Sequence, residues 1–201
     1  MNAMMFSIRR FRHYLKLSGS DGIYRRYFVT NSFDGVMTML GIIIGAKLGG
    51  QLPNPRFVIG AGIGATLAMG ISGLSGAYMT ERAERMGRLR RLRRAMLSDL
   101  RSSVLAKASR AATLWAAIID GLSPALAAAV PMAPFALAAV QLVSLADALL
   151  VSIAAIFVML FLLGVFLGRV SRESVIIGGF RMLLVGVVTA LILWGFALLG
   201  A

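Results

Sequence analysis

Residues 148–168 read ALLVSIAAIFVMLFLLGVFLG. No charged side chain interrupts this run, and Ser152 is its one polar residue. About 20 such residues, wound as a helix, cross the hydrocarbon core of a bilayer. A helix also satisfies its own backbone groups where no water can. Asp147 precedes the run and Arg169 follows it. Asp147 is therefore read as an interfacial cap at the start of a spanning helix.

Working outward, four more segments have the same character: residues 28–48, 57–79, 111–140 and 175–200. Pro53, Asn54 and Pro55 mark the turn between the first two. The second is rich in glycine, including Gly60, Gly64, Gly73 and Gly76, which invites close helix approach. The third is longer than a bilayer requires and holds Pro124, Pro131 and Pro134, which predicts a kink or break near residues 121–124. Of the 201 residues, 59% are hydrophobic and 14% charged, whereas a soluble domain is about half apolar and a quarter charged. The sequence thus predicts an all-α polytopic membrane protein with five transmembrane helices.

The charges orient it. Six of the 21 Lys and Arg residues precede the first span, ten lie within residues 81–110, and Arg169, Arg172 and Arg181 follow the fourth span. Only Lys47 and Arg56 fall in the loop between spans one and two. With five spans, 19 of the 21 share one side. The positive-inside rule then places the N-terminus in the cytosol and the C-terminus outside. Four or six spans would break this agreement.

The expected organisation follows. Residues 1–27 form a cytosolic or interfacial segment, with an amphipathic helix over residues 4–17 whose apolar face carries Met5, Ile8, Phe11 and Leu15. Arg9, Arg10 and Arg12 come too early for a cleavable signal peptide. Residues 28–79 are the first two spans, residues 80–110 a cytosolic basic helix, and residues 111–201 the last three spans. In the basic helix Leu89, Leu92, Met96, Leu100 and Val104 make one apolar stripe, with Arg88, Arg91, Arg94 and Arg101 opposite. Such a helix lies along anionic headgroups or pairs with a partner helix. With no aromatic interleaving and no recognised motif, it does not read as a nucleic-acid binder.

There are no cysteines, and His13 is the only histidine. Thiolate and imidazole metal cages are excluded, so any metal would be met by carboxylates, carbonyls, hydroxyls, amides and thioethers. No Ser/His or Cys/His set and no phosphate loop is present, so an enzyme is not expected, nor a resident cofactor.

The informative residues are acids in apolar surroundings. An ionised carboxylate deep in a spanning helix costs about 2.5–3.5 kcal/mol on insertion scales. Asp34 lies in the first span, with Asn31 and Thr38 on its face at helical spacing and Met37 beside it. It reads either as an ion- or proton-binding group or as a carboxylate paired with an arginine. Asp120 precedes Gly121 and Pro124, whose freed carbonyls would suit a cation, or it is simply satisfied at a kink. Glu81 and Glu84 stand at the mouth of span two. They would gather cations there, or pair with Arg85 and Arg88 at i, i+4. Met69 and Met79 read as packing.

These segments resemble the vacuolar iron transporter family. The likeness lies in residues 26–38 with Asn31-Ser32-Phe33-Asp34-Gly35, in Gly70-Ile71-Ser72-Gly73-Leu74-Ser75-Gly76 of span two, in Leu162-Leu163-Gly164, and in Gly179-Phe180-Arg181-Met182. The resemblance implies five spans, a homodimer with a path between subunits, and proton-coupled movement of Fe(II)- or Mn(II)-like ions out of the cytosol, across the cell membrane. Asp34 matches the first-helix carboxylate of that path. The chain departs from the family in carrying Gly73 and Ala77 where its signature has methionine and glutamate, and in lacking a long glutamate-rich cytosolic bundle. The expected metal-handling residues are Asp34, Asn31, Met37, Thr38, Glu81, Glu84 and Asp120, with divalent cations, protons, membrane lipids and a second copy as partners. The rival is a membrane interaction protein that binds lipid or a partner through its basic helix, without transport.

Overall fold

The computed structural model describes residues 21–50, 54–97 and 103–198. These residues form five α-helices and no strand: α1 (Asp21–Leu48), α2 (Pro55–Met96), α3 (Val104–Ala139), α4 (Leu145–Ser171) and α5 (Val175–Leu198). Each is long and apolar enough to cross a membrane, so the five expected spans correspond one to one with the helices. The amphipathic helix expected over residues 4–17 lies outside the described residues.

Local chemistry sets the helix ends. After α1, Gly50 takes a left-handed φ of 69°, a conformation open to glycine at little cost. Pro55 opens α2, where a missing N–H does no harm, and Asn54 Oδ1 accepts from the Arg56 N–H at 3.1 Å. Ser144 and Asp147 cap α4: the Asp147 N–H donates to Ser144 Oγ at 3.1 Å, and that hydroxyl donates to Asp147 Oδ2 at 2.6 Å. The cap expected at Asp147 is in place.

Two expectations need correction. The basic helix over residues 80–110 is not one piece. α2 has 42 residues, about 60 Å at 1.5 Å per residue and twice the hydrocarbon thickness. It therefore carries the basic segment as far as Met96. Leu97 then adopts a φ of 49°, which an α-helix cannot continue, and residues from Val104 onward belong to α3. The apolar stripe is cut accordingly, with Leu89 buried and Leu92, Met96 and Val104 exposed. The second correction concerns the break expected in α3: the helix runs from Val104 to Ala139 through Pro124, Pro131 and Pro134. Each proline removes the N–H that the carbonyl four residues earlier would accept, here those of Asp120, Ala127 and Val130. Ser152 Oγ donates to the Pro131 carbonyl at 2.7 Å and ties α4 to α3 beside them.

The chain divides into two compact units, taken here in their described parts. One comprises Val29–Gly70 and Ser123–Ala201. Val36, Met39, Leu40 and Ile43 of α1 recur at helical spacing and meet Val58, Ala128, Phe135, Ile156 and Leu160 in its core. Gly35 lies directly on the Pro124 main chain, and Gly164 on that of Gly178, so these helix pairs touch backbone to backbone. Its outward residues, such as Leu150, Leu162, Ile176 and Leu184, are apolar and exposed, as lipid-facing positions should be. The other unit comprises Met1–Phe28 and Ile71–Leu122. Its core is slight: Tyr24 packs on Ala112 and Ala116, flanked by Tyr27 and Ile119. The small side chains of α3 permit close helix approach there.

Candidate functional site

In the second of these units Glu81 is 5% exposed and Arg85 8%. One turn of α2 separates them, and Arg85 Nε lies 2.8 Å from Glu81 Oε2. The other carboxylate oxygen, Oε1, accepts from the Tyr27 hydroxyl at 3.2 Å. Both oxygens of Glu81 are thus engaged, inside a low-dielectric site where an unmatched charge would be expensive. Glu84 differs. It is exposed and stands 3.7 Å from Arg88 Nη2, a geometry worth little in water.

Asp120 is 8% exposed on α3. It faces Gly73 of α2: a methyl group at Gly73 would stand 2.7 Å from Asp120 Oδ2 and 3.2 Å from its main-chain carbonyl. A carboxylate from another helix thus lies against a position that carries no side chain. Tyr27, Gly73, Glu81, Arg85 and Asp120 belong to one unit and give it a polar interior.

The first-span set belongs to the other unit. Asn31, Met37 and Thr38 are half-buried and Asp34 is exposed. Thr38 Oγ1 donates to Met69 Sδ at 3.6 Å, so Met69 does more than pack. The Asp34 carboxylate has no hydrogen-bond or ion-pair partner among the described residues. One, two and three turns further along, the same face carries Thr38, Gly41 and Gly45. A Cβ added at either glycine would meet nothing within 4 Å among the described residues. Among the described residues no three Asp, Glu or His side chains converge on a point that could hold a metal.

The pairs Glu81–Arg85 and Glu84–Arg88 stood in the sequence as an i, i+4 pattern. Tyr27 and Gly73 were not read as site residues. Tyr27 meets a partner 54 residues away, and no local spacing announces that.

Five helices among the described residues are long and apolar enough to cross a membrane, which makes this a multi-pass membrane protein. Its residues 86–198 match the model of the VIT family. The chain is 32% identical over 169 residues to an uncharacterized protein, MJ0645, of Methanocaldococcus jannaschii, with 83% of each chain covered. The protein belongs to the VIT family, a family of membrane metal-ion transporters. The matched residues take in the basic end of α2 and all of α3 to α5, whereas Asp34 and Glu81 precede them. No solved structure matches the chain.

Proposed function

We propose that this protein carries divalent cations of the Fe(II) or Mn(II) kind out of the cytosol in exchange for protons, along a path at the interface of a homodimer. The observation that carries the reading is Asp34: a carboxylate within a spanning helix, exposed and without a partner among the described residues. Left facing lipid it would cost several kcal/mol. Covered by a second copy, two such carboxylates face one polar seam, with Asn31, Met37 and Thr38 beside each. Oxygen and thioether donors suit intermediate divalent ions, and affinity alone separates them poorly. Protonation of Asp34 would release the ion and return a proton.

Among the described residues no acid cluster converges within one chain, and a site shared between two copies needs none. Asp120 serves as a second acid on the route, and Glu84 as an exposed one near its cytosolic mouth. Glu81 is held by Arg85 and Tyr27, and its part is to fix α2 against α1. The charge distribution supports a cytosolic N-terminus.

The test is flux into liposomes loaded with a pH dye, run with Fe(II), Mn(II), Mg(II) and Ca(II). Metal movement with an opposite proton movement is expected for Fe(II) and Mn(II). Metal flux without any proton signal would remove the exchange, and no flux of any ion would remove the transport reading.

A further inference from the structure

A cavity of about 300 Å³ opens between α2 and α3, and Arg82, Arg85, Arg110, Ser109 and Thr113 line it. Not one of its lining residues is a carboxylate. Arg85 is balanced by Glu81. Arg82 and Arg110 are exposed, and neither has a carboxylate partner among the described residues. Two guanidinium groups therefore face one cavity with their charge uncompensated. A cation would be repelled from it, and an anion with several oxygens would be held by forked N–H donors.

The remaining lining residues say what kind of anion. Tyr78, Met86 and Leu114 are aromatic or apolar, and Arg82 sits 5.9 Å from the centre of the Tyr78 ring, in cation–π range. Tyr78 and Leu114 belong to the apolar runs of their helices, and Arg82 and Arg110 lie one turn beyond, where each run gives way to charge. The cavity thus straddles the level at which a bilayer changes from hydrocarbon to phosphate. Met79, with most of its surface exposed, adjoins on a shallower depression that shares Tyr78 and Arg82. A free phosphate would have no use for that apolar side, whereas a lipid has a chain to lay along it.

We propose that this cavity is a binding site for the headgroup of an anionic phospholipid, with Arg82 and Arg110 on the phosphate, the Ser109 hydroxyl as a further donor, and an acyl chain leaving past Tyr78 and Met79. This goes beyond general attraction of a basic helix to a charged surface, because one lipid is held in one place. It holds whether or not the protein transports metal.

The full chain, purified in neutral detergent with no bulk membrane potential to attract lipid, tests it. Native mass spectrometry would count retained phosphatidylglycerol against phosphatidylcholine, and thermal unfolding would be followed with each lipid and with inorganic phosphate. One tightly held phosphatidylglycerol per chain is expected, with a raised melting temperature, no effect of millimolar phosphate, and retention weakened about tenfold or more in Arg82→Gln/Arg110→Gln. Arg93→Gln/Arg94→Gln removes as much charge away from the cavity and should retain the lipid. Arg82→Lys/Arg110→Lys keeps the charge without the fork and should retain it less well than the parent but better than the Gln pair. Equal loss in the Arg93/Arg94 variant would reduce the effect to diffuse attraction. Stabilisation by phosphate as strong as by lipid would make this a free-anion site. Failure of the wild-type chain to prefer phosphatidylglycerol would overturn the proposal outright.

Discussion

Gly73 of α2 and Asp120 of α3 are packed so closely that a single added methyl on the glycine would stand 2.7 Å from the Asp120 carboxylate. The main-chain carbonyl of Asp120 is within 3.2 Å of the same point. Rotating the aspartate alone cannot relieve the overlap, so the helices must move. Gly73→Ala is therefore expected to lose about 1–3 kcal/mol, the usual cost of overfilling a packed site. Thermal unfolding in detergent measures it. Since alanine is the better helix former by about 1 kcal/mol, an unchanged or raised melting temperature would mean that the contact is not as tight as described.

Glu81 gives a second prediction. Its carboxylate is enclosed with Arg85, so Glu81→Gln leaves a buried guanidinium without its counter-charge and should cost about 3–5 kcal/mol. Glu81→Gln/Arg85→Gln removes both charges and should recover much of the loss. Tyr27→Phe removes one hydrogen bond to a charged acceptor and should cost about 1.5–3 kcal/mol. Glu84→Gln, at an exposed pair, should fall within about 1 kcal/mol of the parent. Equal effects of Glu81→Gln and Glu84→Gln on melting temperature would contradict the burial of the first pair.

The spans were legible because lipid imposes one rule on every segment, a run of some 20 apolar residues, and this rule needs no partner. Residues 148–168 satisfy it within α4, whose ends are set by Ser144 and Arg172. What was not legible depends on backbone conformation or on distant partners. Leu97 is an ordinary leucine in the sequence, and its left-handed conformation cuts the helix expected over residues 80–110. The prolines of α3 argued for a break because a lone helix would suffer from them, yet α3 is one helix, packed on α1 at Pro124 and bonded to α4 at the Pro131 carbonyl. Of the acids, Glu81 offered Arg85 in its own pattern, whereas Tyr27 comes from another helix. The face shared by Asn31, Asp34 and Thr38 could be drawn from helical spacing alone. That Asp34 has no partner among the described residues could not.

Topology gives a third prediction. With five spans, the 19-to-2 division of basic residues predicts a C-terminus outside the cytosol. A reporter active only in the cytosol should be silent when fused after Ala201 and active when fused before Met1. Activity at both ends would contradict an odd number of spans.

The proposed dimer seam has its own test. Gly41 and Gly45 share the Asp34 face of α1, and a Cβ added at either would meet nothing within 4 Å among the described residues. Small residues let two helices approach closely in lipid. Gly41→Leu/Gly45→Leu should therefore leave a folded monomer intact but lower the dimer fraction in native mass spectrometry, whereas Gly41→Ala/Gly45→Ala should disturb it less. An unaltered dimer in the leucine variant would move the seam to another face.

Asp34 itself carries the last prediction. Asparagine is nearly the same shape and would hydrogen-bond to Asn31 or Thr38 equally well, at a lower cost in lipid. The carboxylate offers what the amide lacks: a charge to offset a divalent ion and a site to take up a proton. If Asp34 were a structural hydrogen bonder, Asp34→Asn would keep most of the flux. If it compensates the ion, Asp34→Asn should bring divalent-ion flux to the protein-free background. Expression and dimer should persist, and the melting temperature should hold or rise, since about 2.5–3.5 kcal/mol of insertion cost is relieved. Asp34→Glu keeps the charge but moves it by one methylene, and should retain part of the flux. Flux and unfolding measured on the same preparations separate the cases. Wild-type flux in Asp34→Asn would remove the carboxylate from the mechanism, and loss of flux together with collapse of the fold would assign it to structure instead.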